Sequence, residues 1–108
     1  MMTSYIALDL ETTGLESKTE KITEAAALKV IDGTVRERFV TLINPGRPIS
    51  EKITQLTGIT DEMVRTAPLM ENVIGELLAF CEGLPLLGHN ILFDYRFLKQ
   101  AAVNSRLE

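Results

Sequence analysis

An α/β sandwich built on a mixed sheet is predicted by three features of the sequence. Two apolar stretches are joined by the hairpin signal Asp32-Gly33. Apolar residues recur at helical spacing between Pro68 and Gly83, and a short apolar run follows directly. The element order they give is strand, strand, strand, helix, strand, helix. At 108 residues, 45% hydrophobic and 24% charged, the chain has material for one core and not for two domains.

Tyr5-Ile-Ala-Leu-Asp-Leu-Glu11 is short, apolar and closed by the turn-like Thr12-Thr13-Gly14, which predicts a strand. Non-polar residues on both of its faces predict a central strand covered on two sides. Lys21 to Ile31 and Val35 to Ile43 form the antiparallel pair, although three alanines at 25 to 27 dilute the strand character of the first. Asn44-Pro-Gly-Arg-Pro48 ends the second arm, because neither proline can donate to a ladder. Ser50 and Thr60 stand where helix N-caps would, and Gly58 separates the two short helices they begin. Met70, Val73, Ile74, Leu77 and Cys81 predict one helix from Met70 to Cys81. Leu84 to Leu87 predicts a buried strand reached by a helical crossover, hence parallel to the first. Phe93 to Leu107 predicts a last helix that no Gly or Pro closes, so the sequence is expected to stop inside an element.

Eleven Lys and Arg against fifteen Asp and Glu leave a net charge of -4, which excludes binding nucleic acid through a broad basic field. The lone Cys81 excludes an internal disulfide and predicts a core thiol. No basic leader precedes Tyr5, and no apolar stretch is long enough to span a bilayer. The expected setting is cytoplasmic, with no membrane partner.

Residues two apart on a strand share a face, so Asp9 and Glu11 project together at the carboxyl end of the first strand. Such a pair is unfavourable without protons, a basic partner or a divalent cation. Gly88-His-Asn-Ile-Leu-Phe-Asp94 opens the last helix at the carboxyl end of the parallel strand, which brings Asp94 to the same opening. Three carboxylates suit hard cations such as magnesium or manganese. Taken alone, the same residues also read as solvated acids at a strand end, with Asp94 a helix cap and Asn90 a turn residue. His89, the only histidine, is assigned neither as general base nor as zinc ligand, since only Cys81 could join it as a soft ligand.

Asp9-Leu-Glu-Thr-Thr-Gly14 resembles the first motif of the DnaQ-like 3′-to-5′ exonucleases of the DEDD superfamily, and His89-Asn-Ile-Leu-Phe-Asp94 resembles their second. Asn44-Pro-Gly-Arg-Pro-Ile49 and Leu56-Thr-Gly-Ile-Thr-Asp-Glu-Met63 stand between them in the order of the PolC-type and epsilon-type proofreading branch. The likeness covers nearly the whole chain. It implies a ribonuclease H-like fold and two Mg2+ or Mn2+ ions held by Asp9, Glu11 and Asp94. It further implies attack of an activated water on a terminal phosphodiester, releasing nucleoside 5′-monophosphates. Substrate contacts would come from Thr12, Thr13, Gly14, Leu56, His89 and Asn90. The implied partners are a single-stranded or frayed 3′ end of DNA, with RNA left open, and a DNA polymerase.

The family's third motif, with a fourth aspartate and a His or Tyr that orients the water, does not follow the last helix. The chain is therefore expected to be the amino-terminal part of a single exonuclease domain. By itself it is expected to be nearly inactive and prone to self-association through an uncovered sheet edge. A catalytically silent module that holds nucleic acid or a polymerase is the alternative, and a plain soluble α/β domain is the third reading.

Overall fold

The computed structural model describes residues 3–105. Strands β1 (Tyr5–Thr12), β2 (Ile22–Ile31) and β3 (Thr34–Leu42) form an antiparallel meander. Helices α1 (Glu51–Thr57) and α2 (Asp61–Val64), a 3-10 turn at Met70–Asn72 and helix α3 (Ile74–Cys81) lead to the two-residue strand β4 (Leu86–Leu87). Helix α4 (Ile91–Asn104) follows. The strand order is β3-β2-β1-β4, and β4 alone runs parallel to its neighbour β1. The sheet is mixed, as expected.

Asp32 and Gly33 both adopt positive φ, at 50° and 78°, which matches the twist of the strands they connect. That turn sets the β2–β3 register, in which Ala26 lies opposite Val40; on the other side of β2, Asp9 lies opposite Ala26 and Glu11 opposite Glu24. The core forms between one face of the sheet and the helices α3 and α4. It joins Ile6, Leu8 and Leu10 to Ile74, Leu77, Phe97 and Leu98. Ala25 and Ala27 are fully buried in that layer, where small side chains bring the helices close to the sheet. The alanines that dilute the strand pattern therefore serve the packing.

Four expectations need correction. Only Ile6, Leu8, Leu10 and Thr12 of β1 are buried, whereas Tyr5, Ala7, Asp9 and Glu11 are partly or fully exposed. β1 is central in the sheet but covered on one face, because its other face ends in acids that packing would have to desolvate. The expected single helix from Met70 to Cys81 is a 3-10 turn followed by α3. The break lies at Val73, which has φ −112° and no capping side chain, and the amides of Asn72 and Val73 bond three residues back. Of the Leu84 to Leu87 strand only Leu86 and Leu87 pair, with Ile6 and Ala7. α4 starts two residues before Phe93, and the expected end at Leu107 lies outside the described residues.

Ser50 and Thr60 are the N-caps the sequence indicates, accepting from the amides of Ile53 and Met63 at 3.2 Å each. Gly58 closes α1 at φ 79°, a left-handed position that suits glycine. These short helices bury Ile49, Ile59 and Val64 in a second small cluster. Ser50→Ala is expected to lower stability by about 1 kcal/mol, read as an earlier urea midpoint with an unchanged slope.

Lys29 is buried on the helix-covered face, paired with Glu82 and Glu37 and lying 4.6 Å from the centre of the Phe80 ring. The Glu82 hydrogen bond holds its ammonium charged against the effect of burial. Cys81 is buried, as expected, and burial pushes its thiol up from the ordinary value. No described helix is long and apolar enough to cross a membrane.

Candidate active site

Asp9 and Glu11 alternate with Leu8 and Leu10, so core packing of the leucines turns both carboxylates to the open face of the sheet. Asp9 is exposed and Glu11 half-buried. The β1–β2 register adds a third acid, since Glu24 is the direct cross-strand partner of Glu11. Like charges so placed are destabilising, and a cation relieves them. Burial pushes the Glu11 carboxyl above its ordinary range, and the charges of Asp9 and Glu24 push it further.

Asp94 arrives from the other side. Strand pairing between β4 and β1 ends at Ala7, and past that point the first turn of α4 lies beside β1. Asp94 is 5% exposed there, with its carboxyl close to the Leu10 backbone amide. It is not a cap: Asn90 holds the N-cap position without a side-chain bond, and the Asp94 amide donates to the Asn90 carbonyl at 3.2 Å. Burial raises the Asp94 carboxyl to about 6. The charges of Asp9 and Glu11 add to this, and the Leu10 backbone amide opposes it.

The three acids thus feel one another electrostatically. Among the described residues, however, no three His, Cys, Asp or Glu side chains are gathered closely enough to hold a metal ion. The chemistry of the donors fits a hard divalent cation all the same. Every donor is a carboxylate oxygen, no thiol or imidazole competes, and none of the three makes an ion pair with a described residue. A cavity of about 260 Å³ between Glu20, Leu69, Met70 and Phe97 is lined by none of them.

The other candidate residues divide by partner. Thr12 is buried and donates its hydroxyl to the Gly14 carbonyl at 2.6 Å. Thr13 donates to Glu20 at 2.7 Å and accepts from the Lys21 amide at 2.9 Å, so both hydroxyls are engaged within their own loop. Arg47 reaches the same Glu20 at 3.4 Å, tying that loop to the 44–48 turn. Leu56 is 79% exposed on α1, while Ile59 is core. His89 and Asn90 are exposed at the β4–α4 corner. Glu24 and Glu20 escaped the sequence reading. Glu24 is found only through the β1–β2 register, which the Asp32-Gly33 turn does not set, and nothing local marks Glu20 as the partner of Thr13.

The metal-free carboxylates imply a pH-dependent stability. Asp94 binds its proton more tightly folded, near pH 6, than unfolded, near pH 4. Its contribution is fully present below about pH 4 and is lost as the pH rises through about 6. In chelator, the wild-type chain is expected to melt higher at pH 5 than at pH 7.5, after correction for the other groups. Asp94→Asn should flatten that slope and add about 1 to 3 kcal/mol at pH 7.5. Equal slopes in the two proteins would refute the assignment.

A family model described as an exonuclease, RNase_T, matches residues 6–105. The chain belongs to this exonuclease family. The PolC-type DNA polymerase III of Thermotoga petrophila is 42% identical over 96 residues, which cover 89% of this chain and 7% of the polymerase. The chain thus spans a small fraction of the polymerase it matches. Exonuclease X in complex with 5′ overhanging duplex DNA shares 33% identity at a TM-score of 0.70, over 85% of this chain and 52% of that one. The zinc-bound form of E. coli exonuclease I with single-stranded DNA aligns at a TM-score of 0.82 and 18% identity, over 97% of this chain and 24% of that one. The last likeness establishes the ribonuclease H-like fold of the chain. The expected recognition and fold class are both borne out.

Proposed function

We propose that this chain is the amino-terminal, carboxylate-bearing part of a metal-dependent 3′-to-5′ exonuclease domain that trims DNA ends in the company of a DNA polymerase. One observation carries the reading. The buried Asp94 carboxyl, from one end of an exonuclease-family sequence, feels the charges of Asp9 and Glu11 from the other end at one corner of the sheet, and none of the three is paired with a basic group among the described residues. The PolC-type relative supports the polymerase setting, and the nucleic acid in the exonuclease X and exonuclease I structures supports a DNA end as substrate.

In this reading Asp9, Glu11 and Asp94 hold two divalent ions, Mg2+ or Mn2+. Bound there, the ions supply an activated water and neutralise charge on the phosphoryl oxygens. The chain's own residues do the rest. β1 holds Asp9 and Glu11 at fixed spacing, and α4 sets the third carboxylate against Leu10. The Thr12 to Gly14 loop, braced by Glu20 and Arg47, presents backbone to the terminal nucleotide. Leu56 offers an exposed apolar surface for a terminal base, and His89 and Asn90 border the same corner.

The test is release of nucleoside 5′-monophosphate from a 3′-labelled single strand, with magnesium or manganese and with chelator. The isolated chain is expected to be nearly inactive, because its three acids lack a fourth ligand and a base. A chimera with these residues in place of the matching segment of a PolC-type relative is expected to be active. An inactive chimera that still binds the labelled end would favour the silent binding module. The open arrangement of the acids is the observation on that side.

A further inference from the structure

Glycines occur here for two different physical reasons. Gly33, Gly46, Gly58 and Gly83 have φ between 71° and 79° with nothing within 4 Å of an added Cβ, so they serve backbone conformation alone. Gly88 has no such φ. A Cβ there would stand 2.6 Å from the Leu8 carbonyl oxygen, 3.3 Å from Ile91 Cδ1 and 3.7 Å from Asp94 Oδ2. Gly14 also lacks room, but its obstacle is the flexible end of Glu20. At Gly88 the obstacle is the backbone of β1, held by β2 on one side and by the bond from the Ile6 amide to the Pro85 carbonyl at 2.8 Å on the other.

We propose that Gly88 is the positioning residue for Asp94: its missing side chain lets the β4–α4 corner lie directly on the Leu8 carbonyl, which sets the Asp94 carboxylate against the Leu10 amide. Five residues lie between the two positions in sequence, and the Asn90 carbonyl accepts from the amides of Phe93 and Asp94. A shift at Gly88 is therefore passed on through a short, hydrogen-bonded turn. Alanine must push the corner outward by several tenths of an ångström, and the carboxylate withdraws with it. That Asp94 then holds a cation rests on the proposed function. Its position against Leu10 does not.

The experiment compares wild type, Gly88→Ala, Asp94→Ala and Gly83→Ala by amide hydrogen exchange and by Mn2+ calorimetry on the whole chain. Gly83→Ala supplies the general cost of a strained helix terminus far from the carboxylates. The Leu10 amide is expected to exchange about tenfold faster in Gly88→Ala and Asp94→Ala than in Gly83→Ala, with the other β1 amides unchanged relative to that control. Mn2+ affinity is expected to fall by about tenfold or more in Gly88→Ala. Part of that loss should return on adding Asp94→Glu, whose longer side chain reaches back. Leu10 exchange equal to that of Gly83→Ala overturns the proposal, and so does a Gly88→Ala chain that does not fold, since glycine would then serve the fold as a whole. A wild-type chain without a saturable Mn2+ site rejects the metal reading and leaves Leu10 exchange to decide the role of Gly88.

Discussion

Alanine in place of Asp9 is expected to lower nucleotide release by the PolC chimera by about 10³-fold or more, with little change in the melting temperature of the metal-free protein. Asp9 is exposed and makes no ion pair with a described residue, so its removal costs no packing. In metal-free protein it relieves repulsion with Glu11 and Asp94. The catalytic effect is large because a group holding cations at the developing charge contributes more than one oxyanion donor, whose loss alone costs about 10² to 10³. Asp94→Ala should be as damaging to activity and should also unsettle Leu10. Full activity in both variants would reject the nuclease assignment.

Leu77→Ala is expected to remove about 3 to 5 kcal/mol of stability, the largest loss from a single truncation argued for this chain. Leu77 is fully buried in α3, between the sheet and α4, and the cavity it leaves is walled by backbone elements that cannot collapse. A domain of this size has about 5 to 15 kcal/mol in total, so the variant should melt many degrees lower or be unfolded at 37 °C. Leu56→Ala is the matched comparison: the same truncation at an exposed site should change stability by less than about 0.5 kcal/mol. Similar losses at both positions would contradict the assigned core.

The legible parts of the fold were those written in local chemistry. Asp32-Gly33 fixes a hairpin because both residues tolerate positive φ. Ser50, Thr60 and Gly58 announce helix ends because their groups satisfy or excuse the terminal amides and carbonyls. What stayed hidden depended on partners distant in sequence. Ala25 and Ala27 look like poor strand residues until α3 and α4 lie over them. The break at Val73 cannot be read from spacing, because a 3-10 turn and an α-helix both carry apolar residues three apart. In the candidate site, Asp9 and Glu11 followed from strand alternation and Asp94 from the corner after β4. Glu24 required the register, and Gly88 required the distance to a neighbouring strand.

Because β4 stops after two residues, the carboxylates are mounted on two different kinds of support. The separation of Asp9 from Glu11 is a property of one extended backbone and is invariant. The gap from either of them to Asp94 varies with the tilt of α4, which the sheet restrains through side-chain packing rather than through a ladder. In the proposed metal site, ion selectivity would be tuned from the helix: a repacked Phe97 or Leu98, remote from any phosphate, would reset the width of the jaw.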